Sequence, residues 1–329
     1  MYKAFYNLKR NPFEITPDPF FLFPTRRHNE ALAALYYGVR RHKGFVVMTG
    51  EVGTGKTLLV RCLLQLLNQS DVAYAYVFNS RLSPVEFLQY VAGDFGLNVA
   101  GKNKSELLLI LSNYVISRHQ KKLTTVLVVD EAHHVATEVL EEIRLLTNLE
   151  TTSEKLLQIL LVGQPELDEK LDSVDLRQLK QRIALRSHLL SLNLEETTGY
   201  IQRRLQLAGA NPSAAAELFP AETIVRVHRH SRGIPRLINT VCENALITAY
   251  ARQSRSVTPD IIEDIAADFR LGVVHQPKPE AAIGTEEGDA RRAAKTLLLL
   301  HDYLQKLQSS QGEPRAAAAT GASKHEPYI

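Results

Sequence analysis

The chain has little with which to build a covalent or metal-held scaffold. Its 329 residues contain two cysteines, Cys62 and Cys242. They are far apart in sequence, and neither sits in a spacing that holds zinc or runs redox chemistry. Both lie in apolar, helix-like surroundings, so buried free thiols in a reducing cytoplasm are expected. Tryptophan is absent, which excludes nothing by itself. A charge excess is missing too: the net charge is +3, too small to announce a nucleic-acid partner. Long apolar runs are also lacking. Leu297-Leu298-Leu299-Leu300 falls far short of the roughly 20 residues that cross a bilayer. The opening residues, Met1 to Leu8, carry no secretory apolar core. These absences predict a soluble cytoplasmic protein, able to sit at the inner membrane through a partner.

What is present is a 45% hydrophobic composition, ample for a core, in a chain long enough for two domains and a tail. A proline-bearing lead over residues 1–44 ends in a helical pattern near 27–42. Strand-like runs then occur at 45–49, 72–78, 125–130, 157–162 and 187–192. Helical patterns near 56–68, 83–95, 104–121, 136–149 and 166–171 alternate with them. That alternation predicts a parallel sheet covered on both faces. From Glu195 only helical patterns follow, at 195–208, 221–231, 235–252 and 258–268. The expected organisation is an α/β domain over 1–193, a small all-helical lid domain over 194–271 and a low-complexity tail over 272–329. The tail's Ala, Gly, Ser, Pro and balanced charge predict disorder. Within it Leu297, Leu300, Leu304 and Leu307 repeat at helical spacing, a candidate partner-binding helix over 290–308.

The strongest motif is Gly50-Glu51-Val52-Gly53-Thr54-Gly55-Lys56-Thr57, a phosphate-loop pattern between an apolar strand and a helix. Its glycines let backbone N–H groups close on a polyphosphate, and the helix start adds a favourable dipole. Lys56 can reach β- and γ-phosphates, and Thr57 can hold Mg²⁺. A nucleoside triphosphate, ATP, is the expected ligand.

A second apolar strand ends in Asp130-Glu131. Asp130 is the expected partner of Mg²⁺, and Glu131 the base that polarises the attacking water. The adjacent His133 and His134 lack the Cys or carboxylate spacing of a metal site and read as turn residues. A third strand ends in Gln164, expected at the strand's carboxyl end facing the γ-phosphate, where it would orient water. Arg182, in the basic run before the last strand, is the better candidate for a finger reaching a neighbouring subunit's phosphate, with Arg177 second. Gly233-Ile234-Pro235-Arg236 opens a helix of the small domain, with Pro235 in the first turn. Arg236 would project toward the nucleotide, since guanidinium suits phosphate. Residues Pro24 to Ala31, including Arg26, His28 and Asn29, form a weaker adenine-side candidate.

Together these residues resemble the AAA+ ATPases. Gly50–Thr57 looks like Walker A and Val126–Glu131 like Walker B. Gln164 stands at the sensor-1 place, Arg182 at the arginine-finger place and Gly233–Arg236 at the sensor-2 motif. The resemblance implies a P-loop fold with a five-stranded sheet in order 5-1-4-3-2, a helical lid and ring-like homo-oligomers. The opening Met1 to Leu8, Asn11-Pro12-Phe13, Thr16 to Leu22, Gly44 to Gly53, Gly163 to Leu167 and Leu179 to Ile183 are similar to the ExeA family, general secretion pathway protein A. That narrower resemblance implies an ATPase working with a membrane partner in type II secretion, with relatives at exopolysaccharide and exosortase loci. No peptidoglycan-binding pattern follows the lid. The rival reading is an ATP-dependent DNA-binding regulator like the transposition helpers, supported by Arg203-Arg204 and the basic run Arg226 to Arg232.

Overall fold

A computed structural model of the chain describes residues 2–67, 72–78 and 81–271. The candidate helix over 290–308 and the rest of the 272–329 tail lie outside the described residues.

Five strands form one sheet: β1 (Phe45–Gly50), β2 (Ala73–Val77), β3 (Thr125–Val129), β4 (Leu157–Gly163) and β5 (Leu185–Leu189). Their spatial order is β2-β3-β4-β1-β5, and every pairing is parallel. Read from the other edge, this is the order that the resemblance implied. The strands β1, β3 and β4 are buried at every position, as expected for parallel strands covered on both faces. One face packs Phe45, Val47, Leu127, Val129, Ile159 and Leu161 against the helices Pro84–Asp94, Lys104–Gln120 and Thr137–Leu146. The helix Arg26–Arg40 lies on the other face, so close that a Cβ on Gly38 would stand 2.6 Å from Val46 Cγ2.

The final strand starts earlier than its sequence pattern predicts and stops at Leu189 rather than 192. The cause is a competing partner: the Leu192 N–H bonds the carbonyl of Gly233, 2.8 Å away, and draws the chain out of the sheet. Helix starts are written in the sequence. Ser83 with Glu86, Asn103 with Glu106 and Asn193 with Glu196 each form a reciprocal capping box. One helix, Pro212–Leu218, was not anticipated, although Asn211 caps it and Pro212 fills its first turn.

A second core joins the helices Leu194–Leu207, Ala221–Ser231, Pro235–Ala251 and Pro259–Asp268 around Ile201, Leu205, Val227, Val241, Leu246 and Ile262. The amino-terminal segment also packs on this core. Grouped by sequence with the sheet, it sends Tyr2, Leu8 and Phe13 into this helical core. Polar contacts hold it there. The Lys9 N–H donates to Ala208 O (2.7 Å), and the buried Arg204 donates to Pro12 O (2.5 Å). Among the described residues no helix is long and apolar enough to cross a membrane.

Candidate functional site

Parallel packing puts the carboxyl ends of β1, β4 and β3 side by side, so the segments after them share one rim. Gly50 ends β1, and the loop that follows delivers Lys56 and Thr57 at the start of the helix Lys56–Leu67. Within the loop the Thr54 N–H and hydroxyl both donate to Glu51 O, at 3.3 and 2.8 Å. Lys56 is buried and folds back, its Nζ donating to the carbonyls of Gly50 (2.7 Å) and Glu51 (3.0 Å). Burial pushes its pKa down, while Glu131, Asp130, Glu51 and Glu166 pull it back up. The ammonium therefore rests on backbone carbonyl dipoles, with its charged form favoured by nearby acids.

Asp130 follows β3 and is buried. Its Oδ2 accepts from Thr57 Oγ1 (3.1 Å) and from Tyr76 Oη (2.6 Å), and its Oδ1 accepts from the Glu131 N–H (2.9 Å). Tyr76 was not anticipated. Its signal was faint, one aromatic in an alternating strand, and its meaning depends on β2 pairing with β3. Burial and the neighbouring Asp130 push the phenol's pKa up, so it remains a donor.

Glu131 takes a left-handed backbone with φ of 51°, a rare state for a non-glycine residue and one that concentrates at functional sites. Its side chain is half exposed, yet its Oε2 is buried and makes no hydrogen bond among the described residues. That oxygen lies 3.5 Å from His133 Nδ1, which in turn accepts the Gln164 N–H at 3.4 Å. Accepting there leaves the proton on Nε2 and the ring neutral. Burial, with the adjacent His134 second, pushes the His133 pKa down in agreement. His133 is thus more than a turn residue: it accepts from the Gln164 backbone after β4 and stands next to the carboxylate after β3.

The helical core closes the rim from above. The Arg236 N–H donates to Gly53 O at 3.2 Å. The contact is tight: a Cβ on Gly53, whose φ is +82°, would stand 2.7 Å from Arg236 Cβ. From the lead segment, His28 Nε2 donates to Thr54 O (3.2 Å), while its Nδ1 accepts from Thr25 Oγ1 (2.6 Å). Arg26 does not join it; that side chain points to solvent and pairs with Glu30. Arg182 stands apart as well. The Ala184 N–H bonds Phe45 O, which puts the residues before β5 beside the amino end of β1. The loop lies past the other end, about 16 Å along at a strand's rise per residue. Arg182 instead donates to Thr147 Oγ1 (2.7 Å). The chain's own fold brings Gly50–Thr57, Asp130, Glu131, Gln164 and Arg236 to one place and leaves Arg182 outside it.

Residues 39–171 match an AAA domain family. The chain is 43% identical over 258 residues to general secretion pathway protein A of Aeromonas hydrophila, covering 78% of this chain. It spans about half, 46%, of that relative's length. Among solved structures it resembles the Aeropyrum pernix ORC1 protein in complex with DNA, with a TM-score of 0.60, 16% identity, and coverage of 79% of this chain and 69% of that one. It also resembles the Pyrobaculum aerophilum Cdc6p protein, with a TM-score of 0.59, 15% identity, and coverage of 81% and 70%. The Aeropyrum pernix ORC2 protein in its ADPNP and ADP complexes gives a TM-score of 0.56 at 19% identity over 79% and 72%. At these identities the solved structures speak for the fold.

Proposed function

The chain is an ExeA-like AAA+ protein, related to general secretion pathway protein A, and from that premise we propose that it hydrolyses ATP with Mg²⁺ to ADP and phosphate. The supporting observation is the juxtaposition at the rim: a buried lysine, a carboxylate held by Thr57 and Tyr76, and beside them a carboxylate oxygen with no hydrogen-bond partner among the described residues. Thr57 and Asp130 offer the hard oxygen donors that Mg²⁺ prefers, so they would hold it. Bound Mg²⁺ would neutralise charge on the phosphate oxygens.

The protein's own groups do the rest. Lys56 leaves the carbonyls of Gly50 and Glu51 for phosphate oxygens, a stronger, charge-assisted set of acceptors. Backbone N–H groups of Gly50–Thr57 wrap the polyphosphate. Glu131 takes up the proton of the attacking water through its free oxygen, and Gln164 orients that water. Arg236, tied through its own N–H to Gly53, reports the state of the loop to the helical core. Arg182 completes the site of a neighbouring subunit in a ring-type homo-oligomer, which accounts for its distance from its own loop. The output of the cycle is remodelling or energised assembly of a membrane-associated secretion or polysaccharide-export complex, reached at the inner membrane through a membrane-protein partner.

Phosphate release by the purified oligomer tests the reading. Lys56→Ala should lose nucleotide binding. Glu131→Gln should keep binding, stall turnover and accumulate ATP-bound oligomers. Equal phosphate release from Glu131→Gln and the parent chain would remove Glu131 as the base.

A further inference from the structure

The opposite, amino-terminal edge of the sheet carries a second cluster that the reaction does not use. His42 follows the helix Arg26–Arg40, His119 lies in the last turn of the helix Lys104–Gln120, and Glu154 lies in the turn before β4. One nitrogen of each histidine and one carboxylate oxygen of Glu154 all lie within 4.8 Å of one another. We propose that His42, His119 and Glu154 bind a first-row transition-metal ion, with Zn²⁺ as the reference ion.

Donor chemistry selects the ion. Two imidazoles and one carboxylate suit zinc and its transition-metal neighbours, whereas Mg²⁺ and Ca²⁺ want oxygen alone. Distance is compatible with closure. Bonds of about 2.0–2.1 Å in a tetrahedron put donors about 3.4 Å apart, so the present spacing needs about 1.4 Å of movement at most. Glu154 is on an exposed turn and can supply it. His42 is already oriented. Its backbone is left-handed, with φ of 50°, and its Nδ1–H donates to Lys155 O at 3.2 Å. The same Nδ1 lies 4.0 Å from Glu154 Oε2, so the ring is held beside the carboxylate.

Electrostatics agree. Both histidines follow or end helices, where carbonyl dipoles favour a cation. Two neighbouring basic groups are committed elsewhere: Lys155 to Glu150 and Thr147 O, and Arg118 to Thr124 O and Thr125 Oγ1. Arg41 and Lys43 flank His42 and, with Lys43 over the Tyr37 ring, add positive charge. Lys121 and Lys122 stand in the turn after His119 and oppose binding, which sets the expected affinity in the micromolar range rather than tighter. The consequence is mechanical. The three ligands precede β1, β3 and β4, the strands whose far ends carry Lys56, Asp130 with Glu131, and Gln164. A bound ion would clamp those strands together at the edge away from the nucleotide.

Calorimetric titration of the tag-free full chain with Zn²⁺, without nucleotide, tests this. One ion per chain at micromolar affinity is expected, with thermal stabilisation. His119→Ala, His42→Asn (which tolerates the left-handed backbone) and Glu154→Gln should each weaken binding at least about tenfold. Glu154→Gln alters only an exposed turn, so it remains informative if a histidine variant fails to fold. Absence of uptake at micromolar Zn²⁺ overturns the site. So does uptake that persists unchanged in Glu154→Gln and the folded histidine variants.

Discussion

Tyr76→Phe isolates a support that the motifs do not mention. The substitution removes one oxygen and keeps the ring, so packing on β2 is preserved. What disappears is the 2.6 Å donor to Asp130 Oδ2. A hydrogen bond to a charged acceptor contributes about 1.5–3 kcal/mol. Asp130 keeps Thr57 and the Glu131 N–H, and some water can reach the rim, so the lower end applies. At 1.4 kcal/mol per factor of ten, the expected loss is about 10-fold, consistent with the range of about 10–100-fold for residues supporting a metal ligand. The assay is steady-state phosphate release at saturating ATP while Mg²⁺ is varied. The concentration of Mg²⁺ giving half-maximal rate should rise, with a smaller fall in the maximal rate. A urea midpoint measured alongside separates this from general destabilisation. If the Mg²⁺ dependence of Tyr76→Phe overlays that of the parent chain, Tyr76 does not position Asp130 for the metal.

Three further outcomes follow from the geometry. Burial pushes the His28 pKa below the ordinary value of about 6.5, and His133 and His228 move the same way for the same leading reason. The unfolded chain then takes up protons first, so this contribution to stability is full above about pH 6.5 and is lost as pH falls through the lowered folded values. His28→Gln, which can still donate to Thr54 O, should flatten that slope in unfolding measured from pH 7.5 to 5; an unchanged slope removes His28 from the account. Gly233→Ala should destabilise by about 3 kcal/mol or more, because its Cβ would fall 1.8 Å from Leu192 O at a φ of +71°; a urea midpoint near that of the parent chain would contradict it. Finally, Arg182→Ala and Lys56→Ala should each abolish turnover yet recover part of it when mixed, since one subunit then supplies Arg182 to the other's intact loop. Failure to recover activity in mixed oligomers argues against a role in trans.

Much of the site was legible because its pieces are local. The run Gly50 to Thr57 needs only a strand before it and a helix after it, and hydrophobic periodicity supplies both. Asp130 and Glu131 announce themselves as acids at the end of a fully apolar strand. The capping boxes at Ser83, Asn103 and Asn193 use partners three residues apart, within reach of sequence inspection. What escaped was nonlocal. Tyr76 meets Asp130 only because β2 lies beside β3 in the sheet. His133 gains its role from Gln164, which β4 carries to it from 31 residues away. The amino-terminal segment shows no sequence mark that distinguishes packing on the helical core from packing on the sheet.

Strand periodicity, loop chemistry and the two acids were therefore decided by the sequence itself, because neighbouring residues suffice to define them. The tertiary structure alone decided how they meet. It bends Lys56 onto its own loop and seats the Arg236 backbone on Gly53. It also strands Arg182 at the far edge of the sheet, and gathers His42, His119 and Glu154 from three connections. Each of these depends on which strands lie side by side, and parallel pairing joins residues that the chain itself keeps far apart.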